Sequence, residues 1–385
     1  MMTTPTKPLI KLKTAIICDW LVTPGGAEKV LAEIIHCFPH ADLFAVIDFL
    51  QASVKTNLLK PLHNKTITTT FIQKLPFAKK YYRHYLPLMP LAIEQLDVSA
   101  YDLILSSSHA VAKGVLTGPN QIHICYTHSP MRYVWDLQHQ YLQETGLNKK
   151  WRGYIVRYLL HKLRLWDARS ANNVDHFIAN SHYIARRIAK TYRRDATVIY
   201  PPIELPRFTP MTQKENFYLT ASRLVPYKKI DLIVESFQHF PDKKLIVIGD
   251  GPEFNKIKNK AGKNVEILGY QADDVLLSYM QRARAFIFAA EEDFGLLPLE
   301  AQACGTPVIA FGKGGACETV RDLTHPHPTG VFFATQTIAA LGDAIQLFEA
   351  NQATFTADNC VANAAQFSQE KFQTALKAFV DAVVV

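Results

Sequence analysis

The chain has no apolar run long enough to cross a membrane as a helix. Its longest, Ala285–Ala290, has six residues, against about 20 for a span. Met1–Lys13 carries early lysines but no apolar segment, so no secretory signal is expected. Cysteine is scarce. The six, at positions 18, 37, 125, 304, 317 and 360, are scattered and show no paired metal spacing. That excludes a disulfide framework and a zinc knuckle, and predicts buried free thiols in a cytosolic protein. There is no Asp-x-Asp, no Walker loop, no dinucleotide fingerprint, no repeat and no low-complexity tract.

What is present suits two domains. The chain has 385 residues and is 48% hydrophobic, enough for two cores. Its net charge of +8 is unevenly placed. Residues 1–205 hold 25 Lys+Arg against 14 Asp+Glu, a net +11; the remainder holds 17 against 20, a net −3. A basic first half suits an anionic partner. Nucleic acid, phospholipid and a diphosphate-bearing acceptor all fit that charge alone.

Apolar runs alternate with helical patterns along the chain. Strands are predicted at 14–20, 42–47, 67–72, 102–106, 122–126, 177–179 and 197–200, with an amphipathic helix over 27–38. A second set runs through 217–221, 244–248, 265–268, 285–290, 308–311 and 331–333, with helices over 229–240, 273–283 and 296–304. This is the pattern of mostly parallel sheets covered on both faces. Tyr200-Pro-Pro-Ile-Glu-Leu-Pro206 is stiff and helix-incompatible, and is the linker candidate. The expected domains are 1–203 and 204–366, with a final helix in 367–385 as the candidate to cross back to the first domain.

The most informative stretch is Ala289–Val308. Glu292 is predicted at the carboxyl end of a strand and Glu300 on the following helix, which Gly305 ends. Phe294-Gly295-Leu296 lies between them. Open α/β sheets bind ligands at such strand ends. Gly295 allows close backbone approach, and a helix start suits phosphate or a sugar hydroxyl. Arg223 and Lys228 lie in a loop entering a helix; a planar fork of donors and a mobile point charge can neutralise a diphosphate. Gly25 and Gly26 open a helix after the first strand. Glu28 there is read first as a charge on the helix dipole. Tyr126-Thr-His128-Ser-Pro-Met-Arg-Tyr-Val-Trp135 follows another strand, and Leu268-Gly269-Tyr270 ends one. Gly249-Asp-Gly-Pro252 is read as a structural turn. Lys74–Pro90 and Trp151–Arg169 mix basic and aromatic residues, as membrane-resting segments do; a solvated basic face over core aromatics is the other reading.

Together these segments resemble the retaining GT4 glycosyltransferases of GT-B fold. The resemblance spans nearly the whole chain. It implies two Rossmann-like, doubly wound domains facing across a cleft, with nucleotide-sugar binding in the second and acceptor binding in the first. Glu292 would contact the donor sugar and Glu300 the ribose, flanked by Phe294, Gly295 and Leu296. Arg223 and Lys228 match the family's Arg-x4-Lys pair for the diphosphate; Lys229 stands where many members carry glycine. Gly25 and Gly26 would approach the donor phosphates, His128 the donor sugar, and Gly269 and Tyr270 the base. The catalytic set implied is His128, Glu292, Arg223 and Lys228, with no metal and no cofactor beyond the substrate.

His128–Asp136 and Ile178–Arg187 are similar to a branch with O-antigen and exopolysaccharide mannosyltransferases. The branch implies GDP-mannose as donor, with UDP-glucose or another UDP-hexose as alternative. It also implies a polyprenyl-diphosphate-linked or saccharide acceptor, met at the cytoplasmic membrane face. A nucleic-acid-binding protein is the remote alternative, since no nucleic-acid motif is present.

Overall fold

The alternating apolar runs form two parallel sheets. In the computed structural model, residues 12–23, 25–62, 65–144, 146 and 151–384 are described. Most of the segment read for a secretory signal, residues 1–11, lies outside them, as does Pro24. The chain divides into two compact units, Met1–Pro202 with Phe372–Val385, and Ile203–Lys371.

The first unit contains β1 (Thr14–Leu21), β2 (Asp42–Asp48), β3 (Thr68–Thr69), β4 (Leu103–Ser108), β5 (Ile122–Thr127), β6 (His176–Ala179) and β7 (Ala196–Val198). They lie in the order β3-β2-β1-β4-β5-β6-β7, every neighbouring pair parallel. Period-2 alternation sends Ile16, Cys18 and Leu105 to one face, against Val30, Ile34 and Ile35 of helix Gly26–Cys37. Ala15, Ile17 and Ile104 face the other side, with Met89, Ile93, Leu160 and Leu163. The last helix, Gln369–Val384, sends Phe372, Leu376 and Val380 into the first of these clusters. Their i, i+4, i+8 spacing puts them on one helix face.

The second unit contains β8 (Phe217–Ala221), β9 (Lys244–Ile248), β10 (Val265–Gly269), β11 (Ala285–Phe288), β12 (Val308–Phe311) and β13 (Gly330–Phe333), in the order β10-β9-β8-β11-β12-β13. All its neighbouring pairs are parallel too. Both units are Rossmann-like α/β domains, the pair that defines the GT-B fold.

Two expectations need correcting. The strand read at 67–72 shrinks to Thr68–Thr69, paired with Phe44 and Ala45 at the sheet edge. Thr70 ends it: its hydroxyl donates to the Val46 carbonyl at 2.8 Å and accepts from the Ile72 N–H at 3.3 Å, turning the chain into a 3-10 helix. The cysteines are free, but not all are buried: Cys37 is half-buried and Cys317 exposed. Among the described residues, no helix is long and apolar enough to cross a membrane.

Candidate functional site

In the second unit the strand order reverses between β8 and β11, so the loops after them leave in neighbouring places. The loop after β8 carries Arg223 and Lys228; the loop after β11 carries Glu292. Lys228 Nζ donates to Glu292 Oε1, an ion pair between residues 64 positions apart. Arg223, in the same loop as Lys228, is exposed.

Close backbone packing holds both loops. A Cβ on Gly249 would stand 1.8 Å from the Ser222 carbonyl oxygen, and one on Gly251 2.4 Å from that of Leu224. The Leu224 N–H donates to the Asp250 carbonyl at 2.9 Å. The glycine turn after β9 therefore buttresses the Arg223 loop. Gly314 and Gly315 do the same for Glu292, and sequence reasoning missed them. A Cβ on Gly314 would meet the Glu292 carbonyl oxygen at 2.3 Å, and one on Gly315 the Phe294 Cα at 2.2 Å. The Gly315 N–H donates to the Glu292 carbonyl at 2.9 Å. The glycine-rich Gly312-Lys313-Gly314-Gly315 after the apolar run Val308–Phe311 was the signal available.

Gly295, at φ 90°, caps helix Leu296–Ala303 in a left-handed conformation that glycine alone adopts readily. Phe294 is buried, its ring 5.7 Å from that of Phe367. Glu300 on this helix is 8% exposed. The helix is locked from behind by a buried amide cluster: Gln302 Nε2 donates to the Thr319 carbonyl at 2.8 Å, and Asn363 Nδ2 to Gln302 Oε1 at 2.6 Å. Gly269 and Tyr270 end β10 at the sheet edge, two strands from β8. The Gly269 carbonyl accepts from the Gly249 N–H at 2.8 Å, and Tyr270 is 78% exposed. The structure thus joins Lys228 and Glu292 directly and leaves Tyr270 in solvent.

Lys229 sits at φ 57°, in the left-handed region, just before helix Ile230–Phe237. That conformation strains a residue with a Cβ. Lys229→Gly is expected to raise stability by about 0.5–1 kcal/mol, read as a higher urea midpoint at unchanged m value. A lower midpoint would show that the lysine side chain contributes more than its backbone costs.

In the first unit the order reverses between β1 and β4. Asp19, 1% exposed in the second half of β1, accepts from four consecutive backbone N–H groups, those of His109, Ala110, Val111 and Ala112, at 2.5–3.0 Å. His109 Nδ1 lies 3.1 Å from the same carboxylate. Neither residue was picked from the sequence; an acid inside an apolar strand was the only cue. His128, after β5, bonds Ser107 Oγ through Nε2 at 2.8 Å, and its own carbonyl accepts from Asn180 at 3.0 Å. Burial, and then the nearby His109, pushes its imidazole down to about 3, so it is neutral. Glu28 stands half-buried in the first turn of helix Gly26–Cys37, and burial pushes its carboxyl up. Gly25 is extended at φ −157°, and both Gly25 and Gly26 are exposed.

The segment after His128 is anchored by buried charge. Lys113, 1% exposed, pairs with Asp167, fully buried, at 2.5 Å. Asp167 also accepts from Trp135 Nε1 at 2.7 Å and the Tyr192 hydroxyl at 2.9 Å. Among the described residues, no three His, Cys, Asp or Glu side chains group as metal ligands.

Residues 24–207 match the family Glycosyltransferase Family 4, and residues 204–367 match Glycosyl transferases group 1. With the GT-B architecture, the two matches support a GT4-type glycosyltransferase. An uncharacterised glycosyltransferase of Methanocaldococcus jannaschii is 30% identical over 166 residues, 42% of this chain and 47% of its own. A D-inositol 3-phosphate glycosyltransferase of Mycobacterium leprae is 28% identical over 242 residues, 55% of either chain. A GDP-mannose-dependent monoacylated alpha-(1-6)-phosphatidylinositol monomannoside mannosyltransferase of Corynebacterium glutamicum is 30% identical over 175 residues, 37% of this chain and 46% of its own. The chain spans about half the length of these curated relatives. Among solved structures, Anabaena HepE in complex with UDP superposes at a TM-score of 0.67 with 20% identity, covering 96% of this chain and all of that one.

Proposed function

We propose that the chain is a retaining, metal-independent hexosyltransferase. It moves mannose from GDP-mannose to a growing, lipid-linked surface polysaccharide at the cytoplasmic face of the membrane. The observation that carries the transfer reading is the Lys228–Glu292 ion pair at the switch point of the second sheet, in whose first loop Arg223 is exposed. A sugar diphosphate bound there would meet Arg223 and Lys228 at its leaving phosphates, Glu292 at the hexose and Glu300 at the ribose. Arg223 and Lys228 stabilise the charge that develops as the glycosidic bond breaks. Glu292 positions the sugar, and the departing phosphate takes the acceptor proton on the same face. Neutral His128 can hydrogen-bond a sugar hydroxyl without adding charge. The mannose assignment rests on the branch resemblance, supported by the mannosyltransferase relative from Corynebacterium glutamicum.

Hydrolysis and transfer with GDP-mannose, UDP-glucose, UDP-galactose and UDP-N-acetylglucosamine test the donor. Turnover of GDP-mannose alone is expected; preference for UDP-glucose would move the assignment to a UDP-hexose. Glu300→Ala should weaken binding of the preferred donor by about 1.5–3 kcal/mol, the cost of a lost charge-assisted hydrogen bond. Calorimetry on the folded variant reads this, and unchanged affinity would remove Glu300 from the ribose site.

A further inference from the structure

One helix of the first unit carries large apolar side chains on both its faces. Arg152–Ser170 buries Leu160, Leu163 and Asp167. On the opposite side stand Tyr154 (76% exposed), Ile155 (52%), Tyr158 (59%) and Leu165 (54%), with Trp151 (68%) just ahead. Spacings of three, four and seven place them in one stripe. The outward stripe of a helix on a water-soluble domain should be polar; here it is aromatic and aliphatic. The cations lie along it. The Arg152 guanidinium is 5.7 Å from the Trp151 ring centre, Arg157 5.7 Å from Tyr154, and Lys162 Nζ 5.4 Å from Tyr158. The helix's one carboxylate, Asp167, is buried against Lys113.

A second segment adjoins it. Tyr82, Met89 and Ile93 share a core cluster with Leu160 and Leu163, and Trp166 Nε1 donates to Glu94 at 2.6 Å. Between Asp48 and Glu94 the chain has no acidic residue. Lys79, Lys80 and Arg83 are exposed there, as are Phe77 (77%) and Leu91 (53%). Phe77 has φ 55°, a left-handed conformation costly for a bulky residue. Its carbonyl accepts from the N–H groups of Lys80 and Tyr81, both at 2.9 Å. The turn holds that strain and keeps the ring in solvent.

We propose that this face docks on a bilayer containing anionic phospholipid. The aromatic stripe enters the boundary between headgroups and acyl chains, and the Lys and Arg side chains meet the phosphates. Charge decides the occupant. A second copy of the chain would set one acid-free basic face against another, whereas an anionic bilayer complements it. The inference does not depend on the transfer reading, and its test needs no turnover.

The whole chain is floated with phosphatidylcholine vesicles, with and without phosphatidylglycerol. Strong binding is expected only with phosphatidylglycerol. It should weaken as salt is raised, since screening acts over about 10 Å at 0.1 M. Brominated lipid should quench tryptophan emission, and Trp151→Phe should remove most of that quenching. Tyr154→Ser/Tyr158→Ser/Leu165→Ser, checked for an unchanged melting curve, should lose binding about tenfold or more. Neutralising Lys79, Lys80 and Arg83 to glutamine should weaken it by about fivefold per charge. Binding untouched by both sets of changes would overturn the proposal. So would a dimer in light scattering that the serine variant abolishes.

Discussion

Lys228→Ala and Arg223→Ala are each expected to lower turnover by about 100-fold or more, about 2.7 kcal/mol of barrier. In the proposed transfer the leaving nucleoside diphosphate would gain charge as the sugar–phosphate bond stretches, and Arg223 and Lys228 stand in the loop after β8 to meet it. Arg offers a planar fork and Lys a point charge, so neither replaces the other. Lys228 also holds Glu292, and its loss therefore acts twice. The variant Lys228→Ala/Glu292→Gln separates the effects. If Lys228 serves the phosphates, the double variant stays as slow as the single one. If Lys228 only restrains Glu292, neutralising the glutamate restores part of the rate. Steady-state kinetics on the preferred donor reads this, and chelators should leave the rate unchanged. A strict requirement for Mg²⁺ or Mn²⁺ would sink the metal-independent mechanism.

Lys113→Ala should cost about 3–5 kcal/mol of stability, the usual price of leaving one buried charge without its partner. Asp167 would keep Trp135 and Tyr192 as donors, but its negative charge would remain in the core of the first unit. Lys113→Met/Asp167→Asn removes both charges. It keeps an acceptor for the indole and the hydroxyl, and should recover most of the loss. Urea unfolding of the three proteins measures both effects. A cost below about 1 kcal/mol for Lys113→Ala would show that the pair is solvated rather than structural. The network matters for the site because Trp135 ends the segment that begins at His128. A folded variant of this kind should also show loosened protection of residues 128–135 in hydrogen exchange.

The fold class was legible in the sequence because it depends on local pattern. Runs such as Phe217–Ala221, Lys244–Ile248 and Ala285–Phe288 are β-rich, short and bounded by turn residues, and strands buried on both faces must be apolar throughout. Where the rule failed, a side chain intervened: Thr70 used its hydroxyl on the backbone and stopped β3. Lys229 stood out in the sequence only as a departure from the family's glycine; the structure places its backbone at φ 57°, a conformation that glycine would relieve.

The sequence by itself determined which residue types followed the strands: Glu292 and Glu300 around Gly295, and Arg223 five residues before Lys228. Only the tertiary structure decided which of these ends became neighbours. Lys228 meets Glu292 because β11 lies beside β8 in the sheet, with β9 and β10 sent to the other side. Asp19 finds the N–H groups of residues 109–112 because β4, some 90 positions on, pairs with β1. Gly314 and Gly315 became supports for Glu292 because β12 runs parallel to β11. Hydrophobic periodicity reports which face of an element is buried. Strand order and close backbone approach depend on contacts between residues far apart in the chain, and no local pattern encodes those.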